Sequence, residues 1–241
     1  MEPLTWTGSL AGLNIIFLGL AALLALAVLA QILVSFVPSN EVPQVNPDGT
    51  MARPGGISGL LGKAVFGLFA LLVLMIVVYI VAGIFMGPQA GIFGGLSQQM
   101  LPVWVALIVT FAVSIQFKRR LGLYGKLFDS TVGMIGFAIV MFWVFTGIFG
   151  GLFDMLVTHD SLSQVSGMKN KLPGTPLRSP EEGEYPWFLL GGDNLARDVF
   201  SRLVKGAWVV VQIAPLATLF AFMVGITLGL PAGYYGGRLD T

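Results

Sequence analysis

Five long apolar runs constrain the fold of this chain more than any other feature. They occupy residues 13–37, 64–85, 101–117, 132–153 and 208–230. A helix needs about 20 mainly apolar residues to cross a bilayer, and a helix satisfies its backbone groups within the crossing segment. Charged residues make up only 10% of the chain, whereas a soluble domain carries about 25%. The sequence therefore predicts an all-α membrane protein with about five transmembrane helices.

The composition also excludes several classes of function. The chain has no cysteine, so it offers no disulfide and no thiolate ligand or nucleophile. Its one histidine, His159, cannot build a His-rich metal site alone. A net charge of +1 gives no electrostatic footprint for a nucleic acid. We therefore predict a protein that is not an enzyme, that holds no cofactor or metal itself, and that contacts membrane lipid rather than nucleic acid.

The positions of lysine and arginine predict how the spans are oriented. Residues 118–130 form the most basic short loop, with Lys118, Arg119, Arg120 and Lys126, and basic short loops stay in the cytoplasm. Alternation then places the N-terminus outside and residues 154–207 outside. The N-terminus and the loop at residues 86–100 carry no lysine or arginine, which agrees with that assignment.

A polar stretch, GGDNLARDVFSRLVKGA at residues 191–207, stands directly before the fifth run. Leu195, Val199 and Leu203 recur every four residues, which is typical of an amphipathic helix. Asp193 is a suitable N-cap and Gly206 a suitable C-terminal stop. The pattern predicts an amphipathic interfacial helix on the outer side of the membrane.

Two i,i+4 charge pairs occur in that stretch, Asp193 with Arg197 and Asp198 with Arg202. Each such pair stabilises a helix by only about 0.2–0.5 kcal/mol when exposed. The charges therefore do not explain why the stretch exists. Two interpretations remain open: a surface helix that leads the chain back into the bilayer, or a functional segment.

Small side chains line one face of the fifth run. Ala217, Ala221, Gly225, Gly229 and Gly233 recur at intervals of four residues. Such a row lets another helix approach closely. The partner of this row is either another helix of the same chain or a second subunit, and the sequence does not decide between them.

Two motifs flank the fifth run. The first comprises Gly191, Asp193, Arg197, Asp198, Ser201, Arg202, Gly206 and Ala207. The second comprises Gly233, Tyr234, Tyr235, Gly236, Gly237, Arg238, Asp240 and Thr241. Together they resemble the motifs G-T-D-x-x-G-R-D-x-x-S-R-x-x-x-G-A and G-Y-Y/F-G-G-R-x-D-T of the C-type permease subunit of bacterial dipeptide/oligopeptide/nickel-type ABC importers. The resemblance covers about residues 118–241, half of the chain.

The chain departs from that family pattern at three residues and at both ends. Gly192 replaces a usual Thr, Ala196 a usual Gly, and Phe188 a frequent His. Residues 1–117, with three spans, form an N-terminal extension ahead of the family's usual start, and residues 118–241 resemble the N-terminal part of the permease domain. The family continues past the second motif with further spans and a loop that docks the ATPase. We therefore expect a truncated permease, a fragment of one, or a truncated relative.

The resemblance implies a permease subunit of an ATP-driven importer for peptides or similar solutes. It implies a homologous permease subunit, ATPase subunits that bind ATP, and a periplasmic solute-binding protein as partners, all at the bacterial inner membrane. The alternative is an accessory or structural subunit that packs beside other membrane subunits. Continuation of the reading frame into an ATPase-docking loop would exclude that alternative.

Overall fold

The computed structural model describes residues 1–36 and 56–235. Seven α-helices and two short β-strands form within those residues. The helices are α1 (Ala11–Ser35), α2 (Gly56–Met86), α3 (Gly91–Gln99), α4 (Leu101–Phe117), α5 (Leu123–Lys126), α6 (Thr131–Gly147) and α7 (Val199–Tyr235). The strands are β1 (Thr175–Pro176) and β2 (Trp187–Phe188), which pair antiparallel. A π-helical turn, Ile148–Leu152, extends α6.

Within residues 1–36 and 56–235, five helical segments are long and apolar enough to cross a membrane. They are Gly8–Ser35, Ile57–Gln99, Leu101–Arg120, Thr131–Leu152 and Val199–Tyr234. Each contains or overlaps one of the five runs identified in the sequence, so the prediction of an all-α membrane protein with five spans is confirmed. Most of their large apolar side chains are exposed, as expected for helices whose surroundings are hydrocarbon. The protein is a multi-pass membrane protein.

One compact unit comprises Thr5–Gln98 and is built on the pairing of α1 with α2. Asn14 of α1 joins the two helices, because its Oδ1 accepts a hydrogen bond of 2.7 Å from the Tyr79 hydroxyl of α2. The Asn14 side-chain nitrogen donates to the Thr7 hydroxyl at 2.8 Å. Phe17 packs edge-on against the Tyr79 ring at 6.2 Å between ring centres. A polar contact in hydrocarbon thus sets the register of this helix pair.

The second compact unit comprises Met1–Leu4 and Gln99–Thr241. It includes α4, which the sequence grouped with the N-terminal extension; the division of the chain at residues 117 and 118 stays a prediction. Within the unit, α6 and its π-helical turn pack against the start of α7 through glycines. A Cβ built on Gly147 would lie 3.1 Å from the Ala207 carbonyl oxygen, and one on Gly151 would overlap the Trp208 side chain. These glycines allow the two helices to approach closely.

The separate interfacial helix predicted for residues 193–206 is not formed. Asp193 does not cap a helix, because residues 191–198 are not helical and α7 begins at Val199. Gly206 does not end the helix either: α7 continues to Tyr235. A glycine inside a helix costs only about 0.5–1 kcal/mol relative to alanine, which is too little to stop a helix that continues into an apolar run.

Between α6 and α7 lies a polar segment, which we define as residues 154–198. It carries the β1–β2 hairpin and a small core of Met168, Leu177 and Phe188, all buried. Val165 and Ala196 pack against that core. Apart from the hairpin and an isolated bridge between Gly192 and Asp198, the segment consists of turns, bends and irregular backbone. The small core nevertheless gives these turns a defined position at the start of α7.

Candidate functional site at the start of α7

Asp198 is the N-cap of α7 and is completely buried. Its Oδ1 accepts a hydrogen bond from the Phe200 N–H at 3.3 Å, and its Oδ2 accepts one from the Ser201 N–H at 3.0 Å. The first N–H groups of a helix have no partner within the helix, and an aspartate immediately before it supplies the missing acceptor. The residue that caps the helix is therefore Asp198, five positions later than the sequence analysis proposed.

Ser201 and Thr158 donate to the same carboxylate oxygen of Asp198, and their hydroxyl oxygens lie 3.2 Å apart. The Ser201 hydroxyl donates to Asp198 Oδ2 at 2.5 Å, and the Thr158 hydroxyl donates to it at 2.9 Å. The Ser201 Oγ in turn accepts the backbone N–H groups of Thr158, at 3.2 Å, and of His159, at 3.1 Å. These bonds fasten the beginning of the polar segment to the first turn of α7.

His159 extends this contact to the far end of the polar segment. Its Nε2 lies 2.8 Å from the Tyr185 carbonyl oxygen, so Nε2 carries a hydrogen, because a carbonyl oxygen only accepts. Its Nδ1 lies 3.2 Å from the Thr158 hydroxyl and 3.6 Å from Asp198 Oδ2. The imidazole packs edge-on against Phe188, with 4.8 Å between ring centres. We call Thr158, His159, Asp198 and Ser201 the buried clamp.

The charge of Asp198 is maintained inside the clamp. Burial raises the pKa of this carboxyl, but the nearby His159 ring and hydrogen bonds from Ser201 and Thr158 outweigh that effect, and the pKa lies below its ordinary value. Asp198 is therefore ionised at neutral pH. A buried carboxylate with several donors around it is a strong hydrogen-bond acceptor, so the clamp depends on the charged form.

A second acidic residue, Asp193, organises the surface beside the clamp. It accepts the backbone N–H groups of Leu195, at 2.8 Å, and of Arg197, at 3.0 Å, and pairs with the Arg197 guanidinium at 2.8 Å. The hydrogen bond from the Arg197 backbone N–H is the main cause that lowers the pKa of Asp193 to about 2. Arg202 approaches Asp193 at 3.6 Å. The predicted pair of Asp193 with Arg197 is confirmed, whereas Arg202 faces Asp193 and not Asp198.

The geometry accounts for one of the three departures from the permease motif, Gly192, and makes another, Ala196, unfavourable. Ala196 has φ +62°, a left-handed conformation in which glycine is favoured, so the usual glycine suits this turn better. A Cβ on Gly192 would overlap the Met168 carbonyl oxygen, so the usual threonine would not fit without movement of the backbone at Met168. Phe188, in place of the frequent histidine, is fully buried against His159.

The second motif lies at the other end of α7, roughly 50 Å away at 1.5 Å per residue. A Cβ on Gly225, Gly229 or Gly233 would meet nothing within 4 Å among the described residues. Tyr234 is exposed, and Tyr235 is the last residue of α7. Gly236, Gly237, Arg238 and Asp240 lie outside the described residues. The residues of the first motif thus lie close together at the start of α7, far from the described residues of the second motif. The residues of both motifs stay candidate functional residues.

Sequence reasoning missed Thr158 and His159 as neighbours of the first motif. They lie about 40 positions earlier in the chain, and nothing in their local pattern indicates a contact with α7. One signal was available for the cap itself: Asp198 precedes Ser201 by three residues at the start of an apolar stripe, which is an N-terminal helix pattern. Within residues 1–36 and 56–235 no group of three or more His, Asp or Glu side chains could hold a metal ion.

These features define a multi-pass membrane protein in which the buried clamp fastens the polar segment to the start of α7. The chain is similar to the dipeptide transport system permease protein DppC of Haemophilus influenzae, with 43% identity over 60 residues, 25% of this chain and 20% of that protein. The DppC protein of Bacillus subtilis is 34% identical over 116 residues, 48% of this chain and 32% of that protein.

A third relative is the glutathione transport system permease protein GsiD of Pectobacterium atrosepticum. It is 42% identical over 59 residues, 24% of this chain and 20% of its own length. The chain therefore spans a third or less of the length of these permeases, and the resemblance seen in the motifs is confirmed over up to about half of the chain. These relatives are named as transport permeases and not as enzymes. No family model matches the chain, and no solved structure matches it.

Proposed function

We propose that this chain is a permease subunit, or part of one, of an ATP-driven importer for peptides or similar small solutes. The observation that carries the proposal is the similarity to dipeptide and glutathione permease proteins, together with a first motif that folds into a defined structure in this chain. Asp198 and Ser201 of that motif form half of the buried clamp. Arg197, Arg202 and Asp193 form the charged surface beside it.

We propose the orientation that the basic residues predict, in the bacterial inner membrane. The N-terminus and residues 154–207 lie outside, and residues 118–130 lie in the cytoplasm. Two hydrogen bonds support placing the N-terminus and the polar segment on one side: the Leu4 N–H donates to the Gly174 carbonyl at 2.9 Å, and Trp187 Nε1–H donates to the Glu2 carbonyl at 3.2 Å. Four spans separate these regions, an even number, so both ends return to the same side.

In this assignment the chain works with a homologous permease subunit, ATPase subunits and a periplasmic solute-binding protein. ATP binds to the ATPase subunits, and this chain holds no cofactor. Residues 118–241 form the N-terminal part of the permease domain, and residues 1–117 are an extension with its own spans. The charged surface around Asp193 faces the partner permease or the binding protein, and the second motif, from Gly233 to Asp240, lies at the cytoplasmic face.

The test is to tag the chain at its own genomic locus, purify it in mild detergent and identify the proteins that remain bound. We expect an ATPase and a second permease in stoichiometric amounts, and uptake of labelled peptides that is lost on deletion of the gene. Recovery of other membrane proteins without any ATPase, together with a stop codon directly after Thr241, would contradict the proposal and favour the accessory subunit.

A further inference from the structure

The corner between α4 and α6 carries an uncompensated positive charge. We define the basic corner as residues 118–130. It contains the four cations Lys118, Arg119, Arg120 and Lys126 and one acidic residue, Asp129. Lys118 Nζ lies 3.0 Å from Asp129 Oδ1, so this pair neutralises itself. Arg119, Arg120 and Lys126 are exposed and form no ion pair with any residue that the structure describes.

The conformation of the basic corner is fixed by aromatic packing against the two spans. The rings of Tyr124 and Phe128 contact each other at 5.4 Å, and both contact Phe137 of α6 at 5.5–5.6 Å. Phe128 also packs edge-on against Phe111 of α4 at 5.8 Å. The Tyr124 hydroxyl lies 2.9 Å from the Ser114 hydroxyl of α4. The three cations are therefore presented on a defined surface and not on an unanchored loop.

Apolar side chains stand among these cations and point to a lipid surface. Leu123 is 84% exposed and Leu121 is 40% exposed. The corner connects the span that ends at Arg120 with the span that begins at Thr131, so it lies at the boundary between hydrocarbon and water. At that boundary, exposed leucine contacts the acyl region while arginine and lysine reach the headgroups. Cations next to spanning helices attract anionic lipids.

We propose that the basic corner is a binding surface for anionic phospholipids, with Arg119, Arg120 and Lys126 contacting the headgroup phosphates. An acidic protein partner would satisfy the charges, but it would leave Leu123 without its apolar surroundings unless it also supplied them. An anionic phospholipid supplies both a charged headgroup for the cations and acyl chains for Leu123, at the depth where the corner already lies. This inference does not depend on the proposed transport function or on the side of the membrane, since it needs only the two spans that flank the corner.

The absence of cysteine makes a direct test possible. Gln116→Cys places a single fluorophore on an exposed position two residues before the corner. The full chain is reconstituted in phosphatidylcholine vesicles with a minor fraction of phosphatidylglycerol, and an acyl-chain quencher is carried by one lipid or by the other. At low salt we expect phosphatidylglycerol to be enriched about fivefold beside the label. This factor corresponds to the attraction that one lysine or arginine contributes near an anionic surface. High salt is expected to reduce the enrichment.

Two triple variants separate a local site from general charge. Arg119→Gln/Arg120→Gln/Lys126→Gln should bring the two lipids to equal quenching, whereas Lys169→Gln/Lys171→Gln/Arg178→Gln removes the same charge from the polar segment and should keep the enrichment. All six side chains are exposed, so a monodisperse elution profile checks that each variant folds. Equal quenching by both lipids in the unsubstituted chain overturns the proposal and favours a protein partner. An equal loss in both triple variants overturns it as well.

Discussion

The two ends of α7 belong to one helix, but they have opposite environments. At its start, Phe200, Ser201, Val204 and Ala207 are buried against α6 and the polar segment. Residues 212–231, in contrast, are exposed throughout. The first end contains charged residues and is packed, whereas the second is almost entirely apolar and contacts little of the described chain. The charged residues in the sequence therefore indicate the start of α7, which is packed against the rest of the chain. The purely apolar stretch indicates the end of α7, which faces hydrocarbon or another helix.

The glycines near the two ends of α7 also differ in how closely other residues pack against them. Gly147 and Gly151 form only an isolated pair in the sequence, but they lie against Ala207 and Trp208. The longer row at Gly225 and Gly229 has no neighbour within 4 Å among the described residues. A packing partner within the chain, one of the two interpretations of that row, is thus not seen in the described part. A subunit interface on that row stays a prediction.

The largest effect is expected from removing the cap of α7. Asp198→Ala eliminates the N-cap and removes the acceptor of the buried Ser201 hydroxyl and of the half-buried Thr158 hydroxyl. Loss of a cap costs about 1 kcal/mol, and a buried unsatisfied polar group costs about 1–3 kcal/mol. We expect the free energy of unfolding to fall by about 3 kcal/mol, measured by equilibrium unfolding of the detergent-solubilised chain.

The matched control for this substitution is Asp154→Asn, which removes the charge and keeps a side chain that tolerates the left-handed backbone of this residue, φ +54°. Asp154 lies at the same end of the molecule and pairs with Lys205, but its side chain is 63% exposed. Exposed ion pairs contribute little, so stability should change far less than in Asp198→Ala. Equal losses in the two variants would show that the buried clamp does not hold the start of α7.

A smaller effect is expected from adding one methyl group to either region of small residues. Gly151→Ala directs a Cβ into Trp208, and overpacking of this kind costs about 1–3 kcal/mol. Gly229→Ala meets nothing in the described chain and should leave stability unchanged or raise it by up to about 1 kcal/mol, since alanine favours the helix. The same unfolding measurement on both variants checks the contrast. A loss in Gly229→Ala equal to that in Gly151→Ala would place a contact on the row that the described chain does not supply.

How much could be predicted from the sequence differs between these regions. The spans followed from the apolar runs, because hydrocarbon restricts the backbone to helices. The pairing of Asp193 with Arg197 was predicted from helical i,i+4 spacing, and it forms, but in a turn and not in a helix. The identity of the cap did not follow from the sequence, because Asp193 and Asp198 are both suitable N-caps, and the hydrogen bond from Thr158 that favours the second is not visible in the local pattern. That contact depends on how a turn about 40 positions away folds back, which spacing along the chain does not encode.

Replacing an alanine by glycine should have opposite and smaller effects on stability in the turn before α7 and in α7 itself. Ala196 is held at φ +62°, which a glycine adopts without penalty. Ala196→Gly removes that strain but increases the conformational entropy of the unfolded chain, so we expect a gain in stability below about 1 kcal/mol. Ala217→Gly, at a helical position of the exposed end, should instead cost about 0.5–1 kcal/mol. Opposite signs in unfolding experiments support the left-handed turn, and a loss in both variants contradicts it.

The smallest effect is local and depends on pH. The pKa of Asp193 falls from its ordinary value of 3.8 to about 2, chiefly through the hydrogen bond from the Arg197 N–H. A lowered pKa stabilises the folded turn above the ordinary value, and this contribution disappears as the pH falls towards about 2. Hydrogen exchange at the Leu195 and Arg197 amides, corrected for the intrinsic rate, should therefore be slow above about pH 4 and should accelerate between about pH 4 and about pH 2. Asp193→Asn should abolish that dependence, because its amide does not titrate. The same acceleration in the Asn variant would assign it to another carboxyl, and the buried Asp198 would then be the group that holds this turn.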